Sequence, residues 1–243
     1  MINKITHPVS LGRRLLGCVT FVALPWLLSA CSSSPTPNYY TLSPQVTPLA
    51  SSNVRVIEVL PVALPDRLNR IPLVLQQPSG ESKVLDNDRW TSTFSSELRD
   101  SLSAGLQRKL GAVDRYSSGM TGGQVSYRIA TDFSHFDIIS AGNGEKMKSN
   151  ARMIDVAVAW IIKRQEPINV PVKTAAAGSA EIADRQMSCR VTFQQPVASG
   201  AGDIQATVRA SSVAMERVID AVAQSVVATE AKTRPTIQGV RCS

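Results

Sequence analysis

Residues 154–162 read IDVAVAWII, in which Ile154, Val156, Val158, Trp160 and Ile162 alternate with Asp155, Ala157, Ala159 and Ile161. A period of two is the signature of a strand that buries one face. The same period runs upstream, where Val125, Tyr127, Ile129, Thr131 and Phe133 alternate with residues such as Ser126, Arg128 and Asp132. Gly142-Asn143-Gly144 lies between the two runs, so they predict an antiparallel hairpin joined by a loop over residues 137–150. Downstream, Met187, Cys189, Val191 and Phe193 alternate with Ser188, Arg190, Thr192 and Gln194, which predicts a further strand with Cys189 pointing inward. Val54 to Leu60 and Ile71 to Gln76 read as two shorter strands, separated by the punctuation of Pro61 and Pro65.

Two segments carry a helical period instead. Trp90, Phe94, Leu98, Leu102, Leu106 and Leu110 recur every four residues, with Asp86-Asn87-Asp88 available as capping side chains and Gly111 as the stop. Residues 206–231 carry Val208, Met215, Ile219, Val222 and Val226 on one face, and Pro235 closes that run. The order strands, helix, strands, helix predicts an α+β fold, a mainly antiparallel sheet with two principal helices packed on one face. The Ala-rich stretch 165–185 reads as an extended segment with a loop.

The N-terminus is a different kind of sequence. Residues 1–30 contain Lys4, Arg13 and Arg14 and no acid, followed by an apolar run from Leu15 to Leu28. That is the arrangement of an export signal. The run is shorter than the roughly twenty residues a spanning helix needs, and Pro25 interrupts it. Leu28-Ser29-Ala30-Cys31 resembles the lipobox of bacterial lipoproteins, which implies cleavage before Cys31, guided by Leu28, Ser29 and Ala30, and acylation of the cysteine. Two or three acyl chains make a durable anchor where one is marginal. By the same resemblance, Ser32 in place of an aspartate implies the outer membrane, facing the periplasm. The covalent lipid on Cys31 is the one added group expected; no cofactor or metal is.

These readings divide the chain into a signal at 1–30, a lipidated cysteine and flexible tether at 31–53, one domain at 54–234 and a tail at 235–243. The tether is rich in Ser, Pro, Thr and Asn, a composition too polar to order itself. At about 3.3 Å per residue, its 22 residues after Cys31 would reach at most roughly 70 Å. Within it, Tyr39, Tyr40 and Leu42 form an apolar extended patch, either a short edge strand or a partner-binding motif.

The chain carries a formal charge of +7, and removal of three signal cations leaves 23 Lys and Arg against 19 Asp and Glu, interspersed. No basic block interleaved with aromatics is present, so nucleic acid is not an expected partner; lipid head groups are more accessible to an exported protein. Of the four cysteines, Cys18 leaves with the signal and Cys31 is acylated. Cys189 and Cys242 either pair in an oxidising compartment or remain a buried thiol and a tail residue.

Catalytic signals are sparse. His135 is the one histidine outside the signal, and no Gly-x-Ser-x-Gly elbow accompanies it. Strict strand parity places His135 and Asp137 on one face and Asp132 on the other. Cysteine and histidine lack the paired spacings of zinc sites, and Gly119-Met120-Thr121-Gly122-Gly123 lacks the Lys-Ser/Thr of a phosphate loop. The sequence is therefore read as that of a non-enzyme. Asp66 and Arg67, in the charged connection Leu64-Pro65-Asp66-Arg67-Leu68-Asn69-Arg70, could serve a site or simply be solvated.

The order of these features resembles the ABC-type transport auxiliary lipoprotein family, which includes PqiC. The resemblance rests on the lipobox, on Asn38-Tyr39-Tyr40-Thr41-Leu42, on the Leu64 to Arg70 connection and on Asp88-Arg89-Trp90 opening a Leu-rich helix. It is clear over residues 28–110 and holds over 125–231 as a strand-and-helix pattern; the 165–185 region and the cysteine-ended tail depart from it. It implies an accessory subunit of a phospholipid-transport machine. Such a subunit would dock the periplasmic tunnel of an MCE-domain protein, fed by an inner-membrane complex, to the outer membrane as a symmetric homo-oligomer. The alternative is a structural lipoprotein of envelope assembly, working with an outer-membrane barrel or with peptidoglycan.

Overall fold

The computed structural model describes residues 35–77, 79–118, 123–140, 152–167, 186–198 and 203–243. The signal, the lipobox with Cys31, the Gly119–Gly123 turn except Gly123, the Gly142–Gly144 turn and most of the 165–185 stretch lie outside these residues. The alternating runs form the centre of a sheet: β6 (Ser126–Ser140), β7 (Arg152–Gln165) and β8 (Gln186–Pro196) are an antiparallel meander. Trp160, Val156 and Val158 of β7, Ile129 and Phe133 of β6 and Cys189 of β8 are buried on one face.

Strand β6 is long enough to hold two partners on its other edge. Its first half pairs with β2 (Val56–Val59) and its far end with β3 (Pro72–Gln76), both parallel. Between them the chain stays on the same edge, with Leu60 N donating to Ile129 O and Ala63 N to Thr131 O, each 3.0 Å. Strand β4 (Ser82–Trp90) returns antiparallel to β3, and β1 (Asn38–Tyr40) lies parallel outside β4. A two-residue β5 (Val113–Asp114) pairs parallel with β2, and β9 (Val240–Cys242) pairs antiparallel with β8. The sheet is thus mixed, where a mainly antiparallel one was expected. Parallel neighbours need a crossover, and the first long helix provides it between β2 and β5.

That helix, α1 (Phe94–Leu110), buries Phe94, Leu98, Leu102, Leu106 and Leu110 and ends at Gly111 with φ 66°, a left-handed cap. It begins later than the sequence implied. Asp86-Asn87-Asp88 belong to β4, where Asp88 accepts hydrogen bonds from Tyr40 Oη at 3.0 Å and Asn38 Nδ2 at 3.3 Å. Trp90 is the last residue of β4 and stacks on Phe94, ring centroids 5.0 Å apart. A single turn, α2 (Arg115–Ser118), follows β5.

Helix α3 (Ile204–Glu230) is capped by Asp203, whose side chain accepts from Gln205 N at 2.8 Å. Its buried Ser211, Ser225 and Thr229 hydroxyls donate to carbonyls four residues back, so polar groups enter the core without losing their partners. Both long helices lie on the same sheet face, as expected. They meet where Gly105 approaches Ile219.

Two departures matter for the site. Pairing shifts between Phe133, opposite Val158, and His135, opposite Ala157, which makes Ser134 the extra residue of a bulge. Before it the odd residues face the helices; after it Phe136 and Ile138 do. The assumed tether is also shorter. From Asn38 the chain is bonded to the domain, and residues 37–243 form one compact unit.

Candidate functional site

The N-terminal segment after β1 is a strap across both long helices. Leu42 N donates to Glu97 at 3.4 Å, Ser43 N to Ser212 at 3.1 Å, Gln45 N to Glu216 at 2.6 Å and Leu49 N to the Lys109 carbonyl at 2.9 Å. Glu97 is the hub, since it also accepts from Ser92 N, Ser92 Oγ and Thr91 Oγ1 at the start of α1. A cavity of about 430 Å³ lies between Leu42–Gln45 and the Glu97–Arg108 side of α1.

The expected patch of Tyr39, Tyr40 and Leu42 does not survive as one surface. Leu42 is only 4% exposed and belongs to the core, a burial that stabilises by roughly 1.5–3 kcal/mol. The Tyr40 hydroxyl is engaged by Asp88; burial, then the bond and charge of Asp88, raise its pKa. Tyr39 alone is open, at 58%. The alternation of an extended chain explains the split: neighbours on a strand point to opposite faces.

The charged connection 64–70 proves to be a built turn. The Pro65 carbonyl accepts from Leu68 N at 2.9 Å and Asn69 N at 3.2 Å, and Asn69 Oδ1 accepts from Ser95 N at 3.1 Å, which fastens the turn to the start of α1. Arg67 reaches across to β6 and holds Asp137 through its two terminal guanidinium nitrogens. Asp137 is 3% exposed and Arg67 47%. The bond to Asp137 raises the Arg67 pKa, against the opposing effect of burial. Beneath the turn is a cavity of about 230 Å³, where Arg67, Leu68 and Arg70 face Val74, Val84 and Asp137 on the side of the sheet away from the helices.

The bulge corrects the parity argument for His135. Asp132, His135 and Asp137 register opposite Ala159, Ala157 and Asp155, so all three share the face away from the helices. Even so they make no proton-transfer set: Asp137 is engaged by Arg67, and His135 is exposed with Nδ1 3.3 Å from Ser134 Oγ. Among the described residues no group of three His, Cys, Asp or Glu could hold a metal, and no helix is long and apolar enough to cross a membrane.

At the opposite end of β6, Glu58 accepts from Arg115 at 2.8 Å and from Arg128 at 3.1 Å. Burial works against the Glu58 charge, but these hydrogen bonds and the two cations hold its carboxyl below the usual range. Cys189 and Cys242 are bridged, S–S 2.04 Å, so the tail left open as a frayed segment is stapled to β8.

Comparison with known proteins follows the same outline. The model of a family described as ABC-type transport auxiliary lipoprotein component matches residues 40–223. Among solved structures, the chain is similar to a crystal structure of an uncharacterized protein, at 18% identity and TM-score 0.52, covering 79% of this chain and 99% of that one. It is also similar to a protein from Xanthomonas campestris of family DUF330, at 16% identity and TM-score 0.51, covering 80% and 98%. At such identities the likeness is one of fold. No curated protein matches. The family match begins within β1, well ahead of the expected domain start at residue 54.

Proposed function

Since the chain belongs to the ABC-type transport auxiliary lipoprotein component family, we propose that it is the non-catalytic, lipid-anchored subunit of an MCE-type phospholipid transport system. It is held through acylated Cys31 in the outer membrane, facing the periplasm, where a symmetric oligomer docks the distal end of an MCE-domain tunnel. The family match over residues 40–223 carries this reading. The supporting sequence feature is the order lipobox, short polar segment, Asn38–Tyr40 strand.

The test is to isolate the acylated protein from outer membranes and ask whether an MCE-domain protein accompanies it. Deleting the gene should weaken the membrane barrier, and replacing Cys31 with alanine should reproduce the deletion. A protein recovered free of any MCE partner, with an intact barrier after deletion, would overturn the proposal. Recovery with an outer-membrane barrel or with peptidoglycan would instead favour a role in envelope assembly.

A further inference from the structure

The tether is short enough to decide which part of the domain meets the membrane. Cys31 and the first bonded residue of β1, Asn38, are separated by seven residue steps. At about 3.3–3.6 Å per step, Asn38 stays within about 25 Å of the anchor. A domain of this size has a radius of gyration of about 17 Å, hence a diameter of about 44 Å. The tether therefore cannot wrap the domain: it holds the corner made by β1, β4 and β3 within about 25 Å of the bilayer, whereas the far pole is free to lie at a full diameter from it.

That corner has the surface a bilayer requires. Tyr39, Ile71 (41% exposed) and Val84 (40%) are all there, three of the large apolar side chains left open among the described residues. By register, Tyr39 lies beside Arg89 on β4, and Arg89 is paired with Pro72. Val84 is paired with Val74 across the floor of the 230 Å³ cavity, whose roof carries Arg67 and Arg70. Charges on the corner are mixed: Arg67, Arg70, Lys83 and Arg89 stand with Asp66, Glu81, Asp86 and Asp88, and the buried Asp137 is paired with Arg67.

Such a balance gives no net attraction to an anionic surface, and it matches a zwitterionic one. Arg70, with the N–H groups of Arg67 that Asp137 leaves open, can donate to a phosphate, and the exposed carboxylates of Asp66, Glu81 and Asp86 suit an ammonium. Arginine presents planar donors matched to phosphate oxygens, and Tyr side chains favour the layer where apolar and wet regions meet.

We infer that the β1–β4–β3 corner rests on the head-group layer of a zwitterionic phospholipid bilayer, with Tyr39, Ile71 and Val84 turned into it and the Arg67–Arg70 cavity receiving a head-group phosphate. The inference rests on the reading of Cys31 as the lipid anchor. The opposite pole of the domain, at Val113 and Tyr116 beside the start of β6, is left facing away. The residues of β6 between its contacts with β2 and β3, 126 to 138, span about 40 Å.

With Cys31 acylated and Cys189 bridged to Cys242, an introduced cysteine is a unique thiol. The acylated protein carrying Val84→Cys or Val113→Cys is labelled with an environment-sensitive fluorophore. Each is placed in phosphatidylethanolamine–phosphatidylcholine vesicles containing lipids with a quencher at the head-group level. Quenching should be several-fold stronger at position 84 than at 113 and insensitive to salt. Arg70→Glu should reduce it at 84 without releasing the protein. Equal quenching at the two positions in vesicle-bound protein, or protection of position 84 only when a protein partner is added, would overturn this inference alone. Acylated protein that does not sediment with vesicles would overturn the anchor reading and this inference with it.

Discussion

Replacing Gly105 with alanine tests how closely the two long helices meet. A Cβ built on Gly105 would overlap Ile219 Cδ1 and would lie 3.0 and 3.2 Å from Cγ1 and Cγ2. Ile219 is fully buried in α3, and a β-branched side chain in a helix has one strongly preferred χ1. Swinging Cδ1 aside therefore leaves the other two contacts in place. Two effects of opposite sign compete. Alanine is a better helix former than glycine by about 1 kcal/mol, whereas overpacking a core costs about 1–3 kcal/mol. The balance predicts a net loss of about 1 kcal/mol, or a Tm lower by roughly 2–4 °C for a domain of this size.

Ile219→Val removes Cδ1 alone and should cost about 0.5–1.5 kcal/mol by itself. In the double variant the overlap with Cδ1 is gone while the Cγ1 and Cγ2 contacts stay, so part of the penalty from Gly105→Ala should disappear and the two changes should depart from additivity by about 1 kcal/mol. Urea unfolding of the four proteins, followed by far-ultraviolet circular dichroism, gives every term. A raised midpoint for Gly105→Ala, or additive costs in the double variant, would refute the close crossing.

Three further predictions use other parts of the fold. Deleting Ser134 restores unbroken alternation in β6, so either Phe136 and Ile138 turn to solvent or the pairing with β7 slips; the variant should fail to give a cooperative thermal transition, and a wild-type Tm would contradict the bulge. Replacing both Cys189 and Cys242 with alanine opens a loop closed over a separation of 53 residues. The expected loss in denaturant unfolding is about 2–4 kcal/mol, on a chain-entropy estimate of about 4. Because the Glu58 carboxyl titrates below its unfolded value of about 4.3, its network stabilises the fold above that pH and loses the contribution as pH falls through the folded pKa. Glu58→Gln should therefore flatten the fall of Tm as the pH is lowered below about 5, and an unchanged slope would contradict the assignment.

Much of the sheet's centre and both long helices were legible in the sequence because their periods are local. Alternation placed Ile154 to Ile162 and Met187 to Phe193 on the correct faces, and the four-residue recurrence from Phe94 to Leu110 described the buried stripe of α1. What escaped reading depends on partners far along the chain. The parallel pairings of β2 and β3 with β6 leave no local mark, since any extended segment can donate to either kind of neighbour. Asp86-Asn87-Asp88 looked like a helix cap, yet Asp88 finds its donors in Tyr40 and Asn38, about fifty residues upstream.

The site shows the same division. Arg67 was singled out, but its partner Asp137 was missed because Ser134 shifts the parity of β6 and only the fold reveals it. Polar composition hid the strap, too: Ser43 and Gln45 read as tether, whereas their backbone amides are bound to Ser212 and Glu216.

That strap also determines how a pull on the N-terminal side would travel through the molecule. Force reaches Asn38 first and can peel the three pairs of β1 from β4 one after another. It then meets Leu42, seated in the core, followed by amides fastened in turn to Glu97, Ser212, Glu216 and the Lys109 carbonyl. Load therefore divides between the sheet, through β4 and β3, and the helical layer, through the successive bonds of the strap. The joint is a series of separate fastenings, so no single bond between the N-terminal side and the domain bears the whole load.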